Sequence, residues 1–198
     1  MKFQHLALVL LALSGAAEAN LIDRGNGMIY DQDLNLTWIQ NTDISYFMTW
    51  DQANAWATDL SYGGYSDWRL PTTPDANSSY GYNQTSSEMG HLFYHELGGL
   101  AGHTLSSTHN ANYGLFRFRD STLNYAYWSG TESAADPNFA WYFSTVTGIQ
   151  YDNTKDKEYL AWAVRTGDVA VVPVPAAVWL LGSGLLGLLG LRRQGNIG

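Results

Sequence analysis

Apolar and polar positions alternate from Leu21 to Asp31 on either side of Gly25-Asn26-Gly27, which predicts two short strands around a tight turn. Leu34 to Ile39 alternates toward Trp38 and predicts a third strand. At Thr49 the period changes to a helical one. Ala53, Trp56, Ala57 and Leu60 recur at i, i+3, i+4 and i+7, Thr49 and Gln52 have capping-box spacing, and Gly63-Gly64 stops the helix. A second helix is predicted from Thr85, with Glu88 as capping-box partner, an apolar stripe of Met89, Leu92, Phe93 and Leu97, and Gly98-Gly99 as the stop. Pro71 to Gln84 is polar and reads as a long loop, a length that is usually functional or disordered. The chain beyond turns β-rich: Tyr125 to Ser129, Ala140 to Thr145, a Thr147-Gly148 turn, Ile149 to Tyr151, and Tyr159 to Arg165. The pattern thus predicts two helices among several short strands.

The two ends break this pattern. Lys2, the apolar run Leu6 to Leu13 and Ala17-Glu18-Ala19 form the three regions of a secretory signal peptide, residues 1–19, with the mature chain starting at Asn20. Residues 20–168 are then the folded domain. Residues 169–175 are a linker with a proline motif, and 176–198 are a transmembrane segment with a basic cytoplasmic tail. No charged side chain occurs from Val169 to Leu191, which at about 1.5 Å of rise per residue is enough helix for a hydrocarbon core of about 30 Å, although Pro173 and Pro175 are expected to confine the helix to Ala176 onward. Arg192 and Arg193 are expected to stay cytoplasmic.

Charge narrows the partners. The chain carries 18 Asp and Glu against 10 Lys and Arg, a net charge of −8, and Lys2, Arg192 and Arg193 lie outside the domain. Nucleic acid and anionic lipid surfaces repel such a protein, so no nucleic-acid partner is expected. There is no cysteine, which excludes thiol nucleophiles and thiolate metal sites and leaves stability to packing.

Four constellations could carry chemistry. Tyr80, Tyr82 and Tyr113 lie in polar stretches, where their rings could stack on the C–H faces of sugars, whereas Trp56 and Trp162 sit on apolar stripes and read as core. Asp31, Asp33 and Asn35 have the alternating spacing of a calcium loop, without the Gly at position six or the Glu at position twelve; an Asx-rich turn is the alternative. Glu88, His91 and His95 share the outward face of the second helix and could hold zinc with His103 or His109, but a solvated face is the simpler explanation and the one expected. Glu96 falls with the apolar stripe, so it needs a buried donor, for which Arg69 and Arg165 are candidates. No Gly-x-Ser-x-Gly elbow and no suitably spaced carboxylate pair is present, and no enzyme is assigned.

Two families resemble parts of this chain. Val172-Pro173-Val174-Pro175-Ala176, the Gly-rich apolar run and Arg192-Arg193 resemble a PEP-CTERM sorting tail of the Val-Pro-Leu-Pro-Ala variant, with Val174 in place of the leucine. That resemblance implies a Gram-negative, exopolysaccharide-producing bacterium, export past a signal peptidase, and an exosortase that processes the tail. Leu36-Thr37-Trp38, Thr49-Trp50-Asp51-Gln52-Ala53, Asp67-Trp68-Arg69-Leu70-Pro71-Thr72, Tyr127-Trp128-Ser129-Gly130-Thr131-Glu132, Ala140-Trp141-Tyr142-Phe143 and Ala163-Val164-Arg165 resemble the DUF1566 domain, also called the Lcl C-terminal domain. It implies a C-type-lectin-like α+β fold and a surface or secreted protein; its named member is an adhesin for glycosaminoglycans. The 71–84 loop departs from the family's short form. The expected function is a non-enzymatic surface or biofilm-matrix module that recognises polysaccharide. The alternatives are a structural matrix protein that binds another protein, and a metal-dependent hydrolase using Glu88, His91 and His95.

Overall fold

Gly25, Asn26 and Gly27 all have positive φ (74°, 53° and 78°), which lets the chain reverse tightly between its first two strands. The computed structural model describes residues 21–119 and 126–169. β1 (Leu21–Gly25), β2 (Met28–Asp31) and β3 (Leu36–Ile39) form an antiparallel meander, and β7 (Val164–Thr166) closes the sheet against β3, in the order β1-β2-β3-β7. β4 (Ala126–Glu132), β5 (Phe139–Ser144) and β6 (Gln150–Thr154) form a second antiparallel sheet in sequential order.

The segment from Leu160 to Val164 joins the two sheets. Leu160 bonds to β4 through Trp128 N→Leu160 O (2.9 Å) and Leu160 N→Ala126 O (3.0 Å), while Ile39 N donates to Ala163 O (3.1 Å) and Val164 pairs with Trp38. All five residues are buried, and Trp162 packs against Trp38 (5.0 Å between ring centres), Phe116 and Tyr127 while its Nε1 donates to Ile39 O. Trp162 thus fills the core with its N–H group satisfied, the arrangement that makes large aromatic burial favourable. Trp68 is likewise buried, with Nε1 shared between Tyr62 O and Tyr65 O at 3.2 Å.

The first predicted helix is present as α1 (Trp50–Asp59), with Gln52 Oε1 accepting from Thr49 N at 3.0 Å. Ala53 and Ala57 face a core of Met48, Leu70, Trp128, Ala140 and Ala161.

The fold class is otherwise corrected. The expected C-type-lectin-like α+β domain, with two helices flanking the sheets, is not what forms: the described residues are mostly β, two sheets with few short helices. The second helix is α-helical only over α2 (Glu88–His91) and continues as a π-helical turn, Leu92–Glu96; α3 (Leu105–Thr108) is also four residues long. Its cap is Ser87, whose Oγ accepts from Gly90 N at 3.0 Å, and not Thr85. Gly90 packs so closely that a Cβ there would lie 1.7 Å from Gln84 O, and Leu97 N bonds five residues back to Leu92 O at 2.9 Å. The apolar stripe itself is right: Met89, Leu92, Phe93 and Leu97 are all buried.

No helix of the described residues is long and apolar enough to cross a membrane. The segment 176–198, expected to form such a helix, the signal peptide 1–19, and Val172, Pro173, Val174, Pro175, Ala176, Arg192 and Arg193 lie outside the described residues.

Candidate functional site

Asp31 ends β2 on the same face as Ile29, two residues earlier, and both are fully buried. Its Oδ1 accepts from Leu34 N at 3.1 Å, closing the turn to β3; its Oδ2 has no hydrogen-bond partner. The Trp38 side chain lies against this carboxyl with its indole N–H buried and without an acceptor in good geometry.

Across from the turn, the π-helical segment supplies the other half. An α-helix, at roughly 100° per residue, would hold His91 and Glu96 about 140° apart. The π turn repeats at i→i+5 and brings these two onto one face: His91 Nε2 lies 3.5 Å from Glu96 Oε1, an ion-pair separation longer than a good hydrogen bond. Asn110 Nδ2 and Asn112 Nδ2 donate to the Glu96 backbone carbonyl at 2.9 and 2.8 Å and pin the end of the turn. Glu96 is only 3% exposed, and its Oε2 is unpartnered. The His91 ring stacks on that of His95 (5.0 Å between centres).

Asp31, His91 and Glu96 can therefore each offer one donor atom within 4.8 Å of the others. Burial pushes the Asp31 carboxyl above its ordinary value and the neighbouring Glu96 adds to this, against the pull of the Leu34 N–H, His91 and Trp38. Interaction with Glu96 holds the His91 imidazole above its ordinary value, helped by the charge of Asp31, against desolvation.

Of the calcium-spaced residues, Asp31 alone is buried. Asp33 is 44% exposed with Oδ2 3.9 Å from His91 Nε2, and Asn35, at φ 52°, accepts from Tyr30 OH at 2.9 Å through Oδ1. The hydrolase trio does not assemble. Glu88 is gripped by Arg69 in two bonds of 2.8 Å and accepts from Thr72 N at 2.7 Å, and His95 is exposed. Arg69 is thus the partner of Glu88, and Arg165 that of Asp67 (2.8 and 3.0 Å); neither reaches Glu96. His109 stacks on Tyr113 (4.2 Å) and His103 is exposed. The signal for the cluster was present in part: period-2 parity in β2 places Asp31 inward with Ile29, and Glu96 falls on an apolar stripe.

The tyrosines divide. Tyr80 is partly buried, its ring 4.4 Å from Trp141 and 4.8 Å from Tyr151, and its OH donates to Asp152 Oδ2 at 2.8 Å. Tyr82 is 45% exposed. Tyr113 stacks between His109 and Phe118 and lines a small cavity with Thr104, Leu105 and Arg119. Elsewhere, Tyr46 (64% exposed) borders an open groove of about 470 Å³ with Gln52, Trp56 and Asp59.

A family model for the Lcl C-terminal domain matches residues 27–165, so the chain belongs to that family. Membership suggests an extracellular or surface-associated module. No curated protein matches the chain.

Proposed function

We propose that this member of the Lcl C-terminal domain family is a secreted module of the bacterial surface or biofilm matrix that holds polysaccharide without catalysing its turnover. The observation that supports this most directly is a pair of exposed rings flanking one strand bridge. Gly81 and Gln150 exchange backbone hydrogen bonds of 2.8 and 2.9 Å, and the residues that follow each of them in the chain, Tyr82 and Tyr151, are 45% and 47% exposed. Tyr80 packs edge-on against Tyr151 and is itself held by Asp152, so the platform is rigid on one side. Exposed aromatic faces beside polar groups suit sugar rings, whose C–H surfaces stack while their hydroxyls stay wet.

A neutral or weakly charged glycan fits better than a sulfated one. Arg24, Arg69, Arg119, Lys155 and Arg165 are each ion-paired, and the chain's net charge is −8. In this reading the 172–193 tail is a sorting signal recognised by an exosortase after a signal peptidase has released the N-terminus.

A glycan array, followed by binding to the producer's own exopolysaccharide at low and high salt, tests the reading. Binding should be nearly salt-independent and should weaken about tenfold in Tyr82→Ala and in Tyr151→Ala. Loss in Tyr46→Ala instead would move the site to the groove beside α1. Tight, salt-sensitive heparin binding that is abolished by replacing Arg117 and Arg119 would overturn it.

A further inference from the structure

We infer that Asp31, His91 and Glu96 form a binding site for one first-row divalent cation of the zinc class. Three features carry this. The side chains come from two distant segments, the β2–β3 turn and the π-helical turn, and converge so that one donor atom of each lies within 4.8 Å of the others. Asp31 and Glu96 are 0% and 3% exposed, yet Asp31 Oδ2, Glu96 Oε2 and His91 Nε2 have no hydrogen-bond partner. Buried polar atoms are satisfied in the great majority of cases, because an unmade bond leaves the full desolvation penalty in place. Finally, the segment that supplies two of the three donors departs from α-helical winding where it does so, and π turns of this kind concentrate at functional sites.

The donor chemistry selects the ion. Two carboxylates and a neutral imidazole bring a charge of −2, which a divalent cation cancels inside a region where an unpaired charge is costly. Imidazole nitrogen favours zinc-like ions over calcium or magnesium, and calcium needs roughly six to eight oxygens, more than the two acidic side chains here provide. Zinc bonds of about 2.0–2.2 Å to nitrogen and oxygen require donors roughly 3–3.5 Å apart. The His91 Nε2 to Glu96 Oε1 separation is already 3.5 Å, so a small movement of Asp31 completes the set. This differs from the calcium-like spacing of Asp31, Asp33 and Asn35, which shares with it Asp31 alone.

The test is Zn²⁺ titration of the purified, chelator-stripped chain by calorimetry, with Ca²⁺ and Mg²⁺ as comparison ions. One equivalent of Zn²⁺ should bind, at least about 100-fold more tightly than Ca²⁺. The melting temperature should rise by about 5 °C or more at a hundredfold excess over Kd. Asp31→Asn and Glu96→Gln should each weaken Zn²⁺ binding by about 100-fold or more. In the native sequence, Zn²⁺ should shift the NMR resonances of the His91 ring, a readout that does not depend on any variant folding. No saturable one-to-one uptake, binding unchanged in both variants, or an unmoved His91 signal overturns the site. Tighter binding of Ca²⁺ than of Zn²⁺ overturns the choice of ion.

Discussion

Glu88 and Glu96 stand on one short helical stretch, yet their surroundings are opposite. Glu88 meets a forked guanidinium from Arg69 and a backbone N–H from Thr72. Glu96 meets the His91 ring at 3.5 Å and keeps one oxygen unpartnered while being the more deeply buried of the two. A carboxylate with its lone pairs filled by fixed donors is a latch: Arg69 ties the chain before Pro71 to the start of α2. A carboxylate buried with open lone pairs beside another buried acid contributes little to holding the fold, and its burial makes sense only through what it can bind.

The latch side should be the sensitive one. Trp68, next to Arg69, is 3% exposed with its N–H bonded to two carbonyls, and Trp68→Ala should lower unfolding stability by about 3–5 kcal/mol in chemical denaturation. A loss below about 1 kcal/mol would mean that the ring is not part of the core. Glu88→Gln should cost about 2 kcal/mol by leaving Arg69 half-paired at a partly exposed site. Glu96→Gln in metal-free protein should change stability by less than about 1 kcal/mol, since it relieves the repulsion with Asp31 while weakening the contact to His91. If Glu96→Gln proves the more damaging of the two, the distinction between latch and site collapses.

The smallest effect is expected at Asp67, which sits in another surface latch. Its pKa is held below the ordinary 3.8 by hydrogen bonds from Arg165, which also lies over the Tyr65 ring at 4.1 Å. A depressed folded-state pKa stabilises above the unfolded value and loses that contribution as pH falls through the folded one. Asp67→Asn should therefore be slightly less stable than the native chain near neutral pH, and the gap should close well below pH 3.8. A gap that persists there would show that the loss is one of packing and not of charge.

Most strands and the first helix were legible because their signals are local: turn glycines, period-2 alternation and a capping box that forms as read. The second helix was half legible. Its buried stripe follows from the apolar spacing, but the change to π winding depends on Ser87, on the tight seat of Gly90, and on what Asn110 and Asn112 do from a later loop. For the same reason Glu96 could be recognised as a buried acid in need of a partner while the partner was misassigned. Which arginine meets which acid is decided by packing between segments far apart in sequence, as Arg69 with Glu88 and Arg165 with Asp67 illustrate. The long loop was recognised as such, and of its tyrosines Tyr82 is open to solvent whereas Tyr80 is half-built into the wall.

The Leu160–Val164 segment also governs the order in which this chain can fold. β3 is bordered on one side by β2, which it follows in the chain, and on the other by β7, whose register pairs Trp38 with Val164 and Thr37 with Arg165. Such far-separated pairing is slow to form, since loop closure must come before the contacts that compensate for it. A nascent chain that has not yet released residue 166 therefore keeps an open edge on β3, and lacks the Leu160 bonds that β4 requires. The first sheet is therefore not finished before nearly the whole domain has been made, and its edge on β3 stays open until late.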